Sequence, residues 1–131
     1  PSASVEKKDF QPVIDEWTST ASGDKGVYIY DLDLGQEVGR YNAEESFQTA
    51  SIYKLFVVYE GYRRLESGQW QPDDAAGATG HTIAECLDLA IRESDSECAE
   101  TMWEEIGREE MQEIIDAEYY LKNTDMGFII R

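Results

Sequence analysis

The sequence has little positive charge. Its 131 residues include 11 Lys and Arg against 28 Asp and Glu, which gives a formal net charge of −17. Proteins that bind nucleic acid or anionic membrane surfaces use clustered Lys and Arg to neutralise phosphate charge. This balance excludes a nucleic-acid-binding surface as the main function and disfavours a membrane-binding one.

Long apolar runs and cysteines are also scarce. No stretch of about 18 apolar residues occurs, so we expect no membrane span. The first residues, PSAS, show no charged segment followed by an apolar core, so we expect no signal peptide in this chain. The two cysteines, Cys86 and Cys98, are too few for a disulfide scaffold and lack the spacing of a metal site. With 41% hydrophobic residues, the chain reads as a soluble globular domain.

Apolar periodicity and turn residues predict an α+β organisation. A helix is expected over residues 1–20, with its apolar positions from about Val5 to Ser19, followed by a β-hairpin over 26–42 and a helical region over 51–120. Within that region the patterns predict a helix of about 16 residues from Ser51, which Gly68 can cap, and another that begins with a Thr82–Glu85 capping box. Further helices are expected over 97–106 and 108–120.

Lys54 is the one charged residue in the apolar run IYKLFVVY over 52–59. Burying an ammonium group is costly unless it is paired or neutral. Ser51 lies three residues earlier, on the same helix face, and a desolvated lysine is a chemically sensible base for a serine nucleophile. Spacing alone leaves an alternative open, in which Ser51 is only an N-cap and Lys54 extends to the surface.

A second motif, Ser94-Asp95-Ser96, interrupts the helical pattern downstream of Lys54. S-x-x-K followed by S-D-N is a signature of class A β-lactamases and penicillin-binding proteins. The flanking segments 26–42, 41–69 and 82–107 also resemble that family, and the resemblance extends from about residue 26 to residue 126.

The resemblance implies a role for each motif residue. Ser51 would be the nucleophile that is acylated by a β-lactam or a peptidoglycan peptide ending in D-alanyl-D-alanine, and Lys54 would be its base or proton relay. Ser94 would pass the proton towards the leaving nitrogen, Asp95 would hold the loop, and Ser96 would face the substrate. No cofactor and no metal is implied. The alternative is a catalytically silent relative that binds cell-wall peptide or a protein partner.

The sequence departs from the family pattern in two ways. Ser96 stands where the family usually has Asn. A serine hydroxyl is shorter and cannot offer both an amide donor and an acceptor at that reach, so the sequence does not predict the contacts that the Asn makes to the substrate amide and to Lys54. No K-T-G strand and no Ω-loop glutamate can be assigned. We therefore expect a single partial domain over 1–131, with a helical subdomain and the N-terminal hairpin of an incomplete antiparallel sheet. Such a chain would be inactive alone and would pair with the missing C-terminal part or a second copy.

Cys86 and Cys98 would lie about 18 Å apart in one continuous helix, whereas a disulfide needs Cα atoms within about 7 Å. A bridge therefore forms only if the S-D-S segment is a real turn, and two separate buried thiols are the alternative. A bridge would stiffen the catalytic loop and imply an extracytoplasmic location, with any signal or anchor outside this chain.

Overall fold

A computed structural model describes residues 8–119, 121 and 123–126. The chain divides into two compact units, Pro1–Ser46 and Phe47–Arg131. In the described residues these units contain five α-helices and one two-stranded antiparallel sheet, so the predicted α+β class is confirmed. The prediction of a single partial domain stays a prediction.

The first unit contains helix α1 (Gln11–Thr20) and the hairpin of β1 (Val27–Asp31) and β2 (Gln36–Tyr41). The predicted N-terminal helix therefore begins later than expected, and residues 1–7 lie outside the described part. The Phe10 N–H donates to the carbonyl of Val38 at 2.8 Å, which ties this residue to β2. Pro12, in the first turn of α1, favours a helix start there because its fixed φ suits the first turn and it has no N–H to satisfy.

The predicted hairpin over 26–42 is present. Its register pairs Val27 with Tyr41 and Asp31 with Gln36, with an irregularity after Ile29. Helix α1 packs against β2, where a Cβ on Gly39 would lie 2.5 Å from Cδ1 of Ile14. Among the described residues no third strand pairs with this sheet.

The second unit contains four helices, α2 (Tyr53–Glu66), α3 (Ile83–Arg92), α4 (Ser96–Ile106) and α5 (Arg108–Ala117). Helix α2 does not begin at Ser51, because a 3₁₀ turn over Ala50–Ile52 precedes it. Gly68 follows its C-terminal end with φ of 77°, a left-handed conformation that favours glycine. The Thr82–Glu85 capping box is confirmed, with bonds of 3.2 and 2.9 Å. Helix α5 ends three residues before the expected Tyr120, which lies outside the described residues.

Helix α2 has one buried and one exposed face. Its buried face meets α3 and α4, and the core of the unit includes the fully buried side chains Val57, Leu87, Met102, Trp103, Met111 and Ile115. Its opposite face carries Leu55, Tyr59 and Tyr62, which are 47–58% exposed. Protein therefore covers α2 on one face only. No described helix combines the length and apolarity that crossing a bilayer requires.

Candidate active site

Lys54 lies in the first turn of α2, and its residue surface is only 2% exposed. Its Nζ donates to the backbone carbonyl of Ser94 and to two hydroxyl oxygens, Oγ of Ser94 at 3.0 Å and Oγ of Ser96 at 3.1 Å. An ammonium group has three N–H donors, so these three acceptors can satisfy it. The side chain does not extend to the surface, so the alternative in which Lys54 points into solvent is excluded.

The loop that receives Lys54 joins α3 to α4. Ser94 has φ of 56°, a left-handed conformation that is uncommon for residues other than glycine and is found disproportionately at functional sites. Asp95 is the N-cap of α4, and its Oδ1 accepts from the Cys98 N–H at 2.8 Å. The Asp95 N–H in turn donates to the carbonyl of Leu89 at 3.2 Å. The loop is therefore bonded to both flanking helices.

Ser51 is exposed and lies in the 3₁₀ turn before α2. Ala50, which precedes it, has φ of 46°, so the backbone is unusual at this point as well. In the described part of the chain no hydrogen bond joins Lys54 to Ser51. The structure thus brings Lys54, Ser94 and Ser96 together. Ser51 lies one turn before Lys54, in the turn that leads into α2.

Cys86 and Cys98 form a disulfide, with their Cα atoms 4.9 Å apart. Of the two alternatives that the sequence left open, the bridge is the one found. It joins α3 to α4 in the core, since both residues are at most 1% exposed. The S-D-S turn therefore folds these two helices back on each other.

Aromatic side chains lie beside the lysine. The ring of Tyr53 is 5.9 Å from Lys54 Nζ and 5.5 Å from the ring of Trp103. Burial raises the pKa of the Tyr53 phenol, and the nearby Glu100 carboxylate adds to that shift. The sequence motifs assign neither Tyr53 nor Trp103 to the site. The position of Tyr53 between Ser51 and Lys54 was the one available signal.

In the ranges that the structure describes, no group of three or more His, Cys, Asp or Glu side chains is placed to hold a metal ion. The groups found at the site are hydroxyls, one amine and backbone atoms, which suit proton transfer and covalent chemistry at a serine.

The geometry joins the two sequence motifs, because the lysine of S-x-x-K is bonded to both serines of S-D-S. A family model described as the Beta-lactamase enzyme family matches residues 7–129. The chain belongs to the β-lactamase enzyme family. It is thus a β-lactamase-like protein of a serine hydrolase family, and the resemblance seen in the sequence is confirmed. No curated protein and no solved structure matches the chain significantly.

Proposed function

We propose that this β-lactamase-like hydrolase is acylated on Ser51 by a β-lactam or by an amide of the D-alanyl-D-alanine type. One observation carries the proposal: the buried Lys54 amine lies 3.0 Å from the Ser94 hydroxyl, across 40 residues of sequence. Removing a lysine amine from water is costly even when hydrogen bonds satisfy it, so a chemical use for the arrangement is the simplest reason for it.

In the proposed step, Ser51 Oγ attacks the carbonyl carbon of the substrate amide and the C–N bond breaks. The step requires the neutral amine form of Lys54, which takes the proton of Ser51. Ser94 gives its hydroxyl proton to the leaving nitrogen, and the ammonium group formed on Lys54 restores the proton of Ser94. The contact between Lys54 and Ser94 supports the last transfer. Ser51 would approach Lys54 when substrate binds, since active-site hydrogen bonds often tighten only in the complex. The backbone N–H of Ser51 would be one donor of the oxyanion hole.

The Ser96 hydroxyl takes over one contact of the family asparagine. Its oxygen accepts a hydrogen bond from Lys54 Nζ at 3.1 Å, a contact that the sequence did not predict. We propose that Ser96 also faces the substrate, where it offers a single hydroxyl in place of an amide.

We further propose that strands from outside these 131 residues complete the substrate site. The sequence contains no K-T-G. Among the described residues the outer edge of β1 has no paired strand, so a further strand could join it there, whereas Phe10 and Gln11 bond to the outer edge of β2. Those strands would come from the C-terminal part of the same protein or from a second copy, and without them the chain would be inactive. The disulfide supports an extracytoplasmic location, where such bonds persist.

Intact-mass analysis after incubation with a penicillin tests the acylation. Opening of a β-lactam ring releases no fragment, so the expected adduct has the full mass of the penicillin. The adduct should be absent from Ser51→Ala and present in Ser22→Ala, a matched control in an exposed loop of the first unit. Both the 131-residue chain and the full reading frame that contains it are assayed. Absence of an adduct from the full-length protein would overturn the proposal.

A second candidate is a catalytically silent module that binds cell-wall peptide or a protein partner. One observation favours it: the three hydrogen bonds of Lys54 all go to the S-D-S loop and none to Ser51. Binding of a D-alanyl-D-alanine peptide without a mass adduct, and with the same affinity in Ser51→Ala, would support this candidate.

A further inference from the structure

The two cysteines of the disulfide flank, in sequence, the S-D-S loop that binds Lys54. Cys86 is in the first turn of α3 and Cys98 is in the first turn of α4, so the bridge joins the two helices that the S-D-S loop connects. Both residues are buried in the core, at 0% and 1% exposure. The loop itself is exposed at Ser94 and Ser96, so core packing does not hold those two residues.

A short chain of bonds leads from the bridge to the lysine. The Cys98 N–H donates to Oδ1 of Asp95 at 2.8 Å. Asp95 lies between the two serines, whose oxygens accept the three hydrogen bonds that Lys54 donates to described residues. A displacement of Cys98 relative to α3 would therefore move Asp95 and, with it, the oxygens that hold the amine.

We propose that the Cys86–Cys98 disulfide is a positioning device for Lys54, and that its reduction releases the lysine from the S-D-S loop. The two cysteines act through the loop and touch no reacting atom, so they are positioning residues. The significance for acylation rests on the proposed function, whereas the effect on Lys54 does not.

Lys25, a second lysine whose amine donates to backbone carbonyls, serves as an internal control. Lys25 Nζ donates to the carbonyl of Thr18 at 2.8 Å and to that of Ala21, all within the first unit, which contains no cysteine. Both lysines therefore have hydrogen-bonded amines, and only Lys54 depends on elements that the disulfide joins.

Competitive acetylation with acetic anhydride, read by peptide mass spectrometry, tests the proposal on the 131-residue chain. The protein is compared before and after reduction with a water-soluble phosphine, in which the Sγ–Sγ bond breaks, two thiols form, and the phosphine takes oxygen from water as its oxide. The Cys86→Ala/Cys98→Ala variant provides a second bridge-free sample without reductant. We expect the labelling rate of Lys54 relative to Lys25 to rise about tenfold in both samples, because labelling then needs only local opening of the loop.

Amide hydrogen exchange in Met111–Ile115 of α5 separates a local from a global effect. Retained protection in α5 together with faster labelling of Lys54 supports the proposal. An unchanged Lys54 rate after complete reduction overturns it. Loss of protection throughout α5 also overturns it, because the bridge would then hold the whole helical unit and not this loop.

The same samples distinguish the proposal from the proposed function. If the full-length protein forms a penicillin adduct, loss of the bridge should slow acylation and shift its pH profile, an effect that a purely stabilising bridge would not have on folded protein. If no adduct forms, the proposed function fails while the labelling of Lys54 still decides the positioning role.

Discussion

Nζ of Lys54 lies 3.0 Å from Oγ of Ser94, so a helix-entrance lysine and a loop serine that are 40 residues apart in sequence form one polar cluster. The lysine belongs to α2 and the serine precedes α4, and these helices pack directly against each other. Helix packing therefore fixes a contact that neither motif could form alone.

Replacing Lys54 separates its chemical role from its structural one. Lys54→Met should reduce the rate of acylation of the full-length protein by about 100-fold or more, because it removes a proton-transfer group. The free energy of unfolding should be unchanged or higher, since a buried charge is lost and the exposed serine oxygens can bond to water. Mass-adduct time courses and urea unfolding measure both, with Lys25→Met as the control for acylation. A variant that acylates at the normal rate would contradict the proton-transfer role.

Ser96 should limit the recognition of acylamido side chains. Ser96→Asn keeps an acceptor for Lys54 and adds an amide donor, so we expect kcat/KM to rise about tenfold for β-lactams that carry such a side chain. A β-lactam without the side-chain amide is the matched control and should show no gain. Ser96→Ala, which removes one acceptor of Lys54, should lower kcat/KM for both substrates. Equal gains on both substrates with Ser96→Asn would argue against a contact to the side-chain amide.

Local sequence signals predicted much of this fold. The capping box at Thr82 and Glu85 satisfies backbone N–H groups within four residues, so the sequence alone is sufficient to identify it. The start of α2 was misplaced because Ser51 lies in a 3₁₀ turn, and α-helical and 3₁₀ backbone share the same residue preferences over so short a stretch. The bond from Lys54 to the Ser94 carbonyl was not predictable, since any residue provides a carbonyl and only packing decides which one is near.

A buried ion pair stabilises the end of α2. Arg64 Nε donates to Glu60 at 3.2 Å and its NH2 group to Glu110 at 2.5 Å, with both members of the first pair at most 8% exposed. Arg64→Met should lower the free energy of unfolding by about 2 kcal/mol, because Glu60 loses a buried partner and, among the described residues, keeps its ion pair with the more exposed Arg63. The control is Arg92→Met in an exposed pair with Asp88, for which urea unfolding should show a change of at most about 0.5 kcal/mol. Equal effects of the two variants would refute this ranking.

Gly61 allows α2 and α3 to approach closely. A Cβ at this position would lie 2.5 Å from Cδ2 of Leu87, a core side chain with 0% exposure. Gly61→Ala should therefore destabilise the protein by about 1–2 kcal/mol, even though alanine favours a helix by about 1 kcal/mol. Leu87→Val removes the δ carbons that a new Cβ would meet. In a Leu87→Val background, Gly61→Ala should therefore lower the free energy of unfolding by less than it does in the parent protein. Additive losses in this cycle would show that Leu87 is not the obstacle.

Alkaline pH should weaken the fold through Tyr53. Burial raises the pKa of its phenol above the ordinary value of about 10, so the folded protein retains a proton that the unfolded chain releases. Its contribution to stability is complete below the unfolded pKa and is lost as pH rises through the folded pKa. The free energy of unfolding should thus fall with rising pH in this window, and Tyr53→Phe should flatten that slope. Tyr28→Phe, an exposed control on β1, should leave the slope as it is in the parent, and an unchanged slope in Tyr53→Phe would exclude Tyr53 as a source.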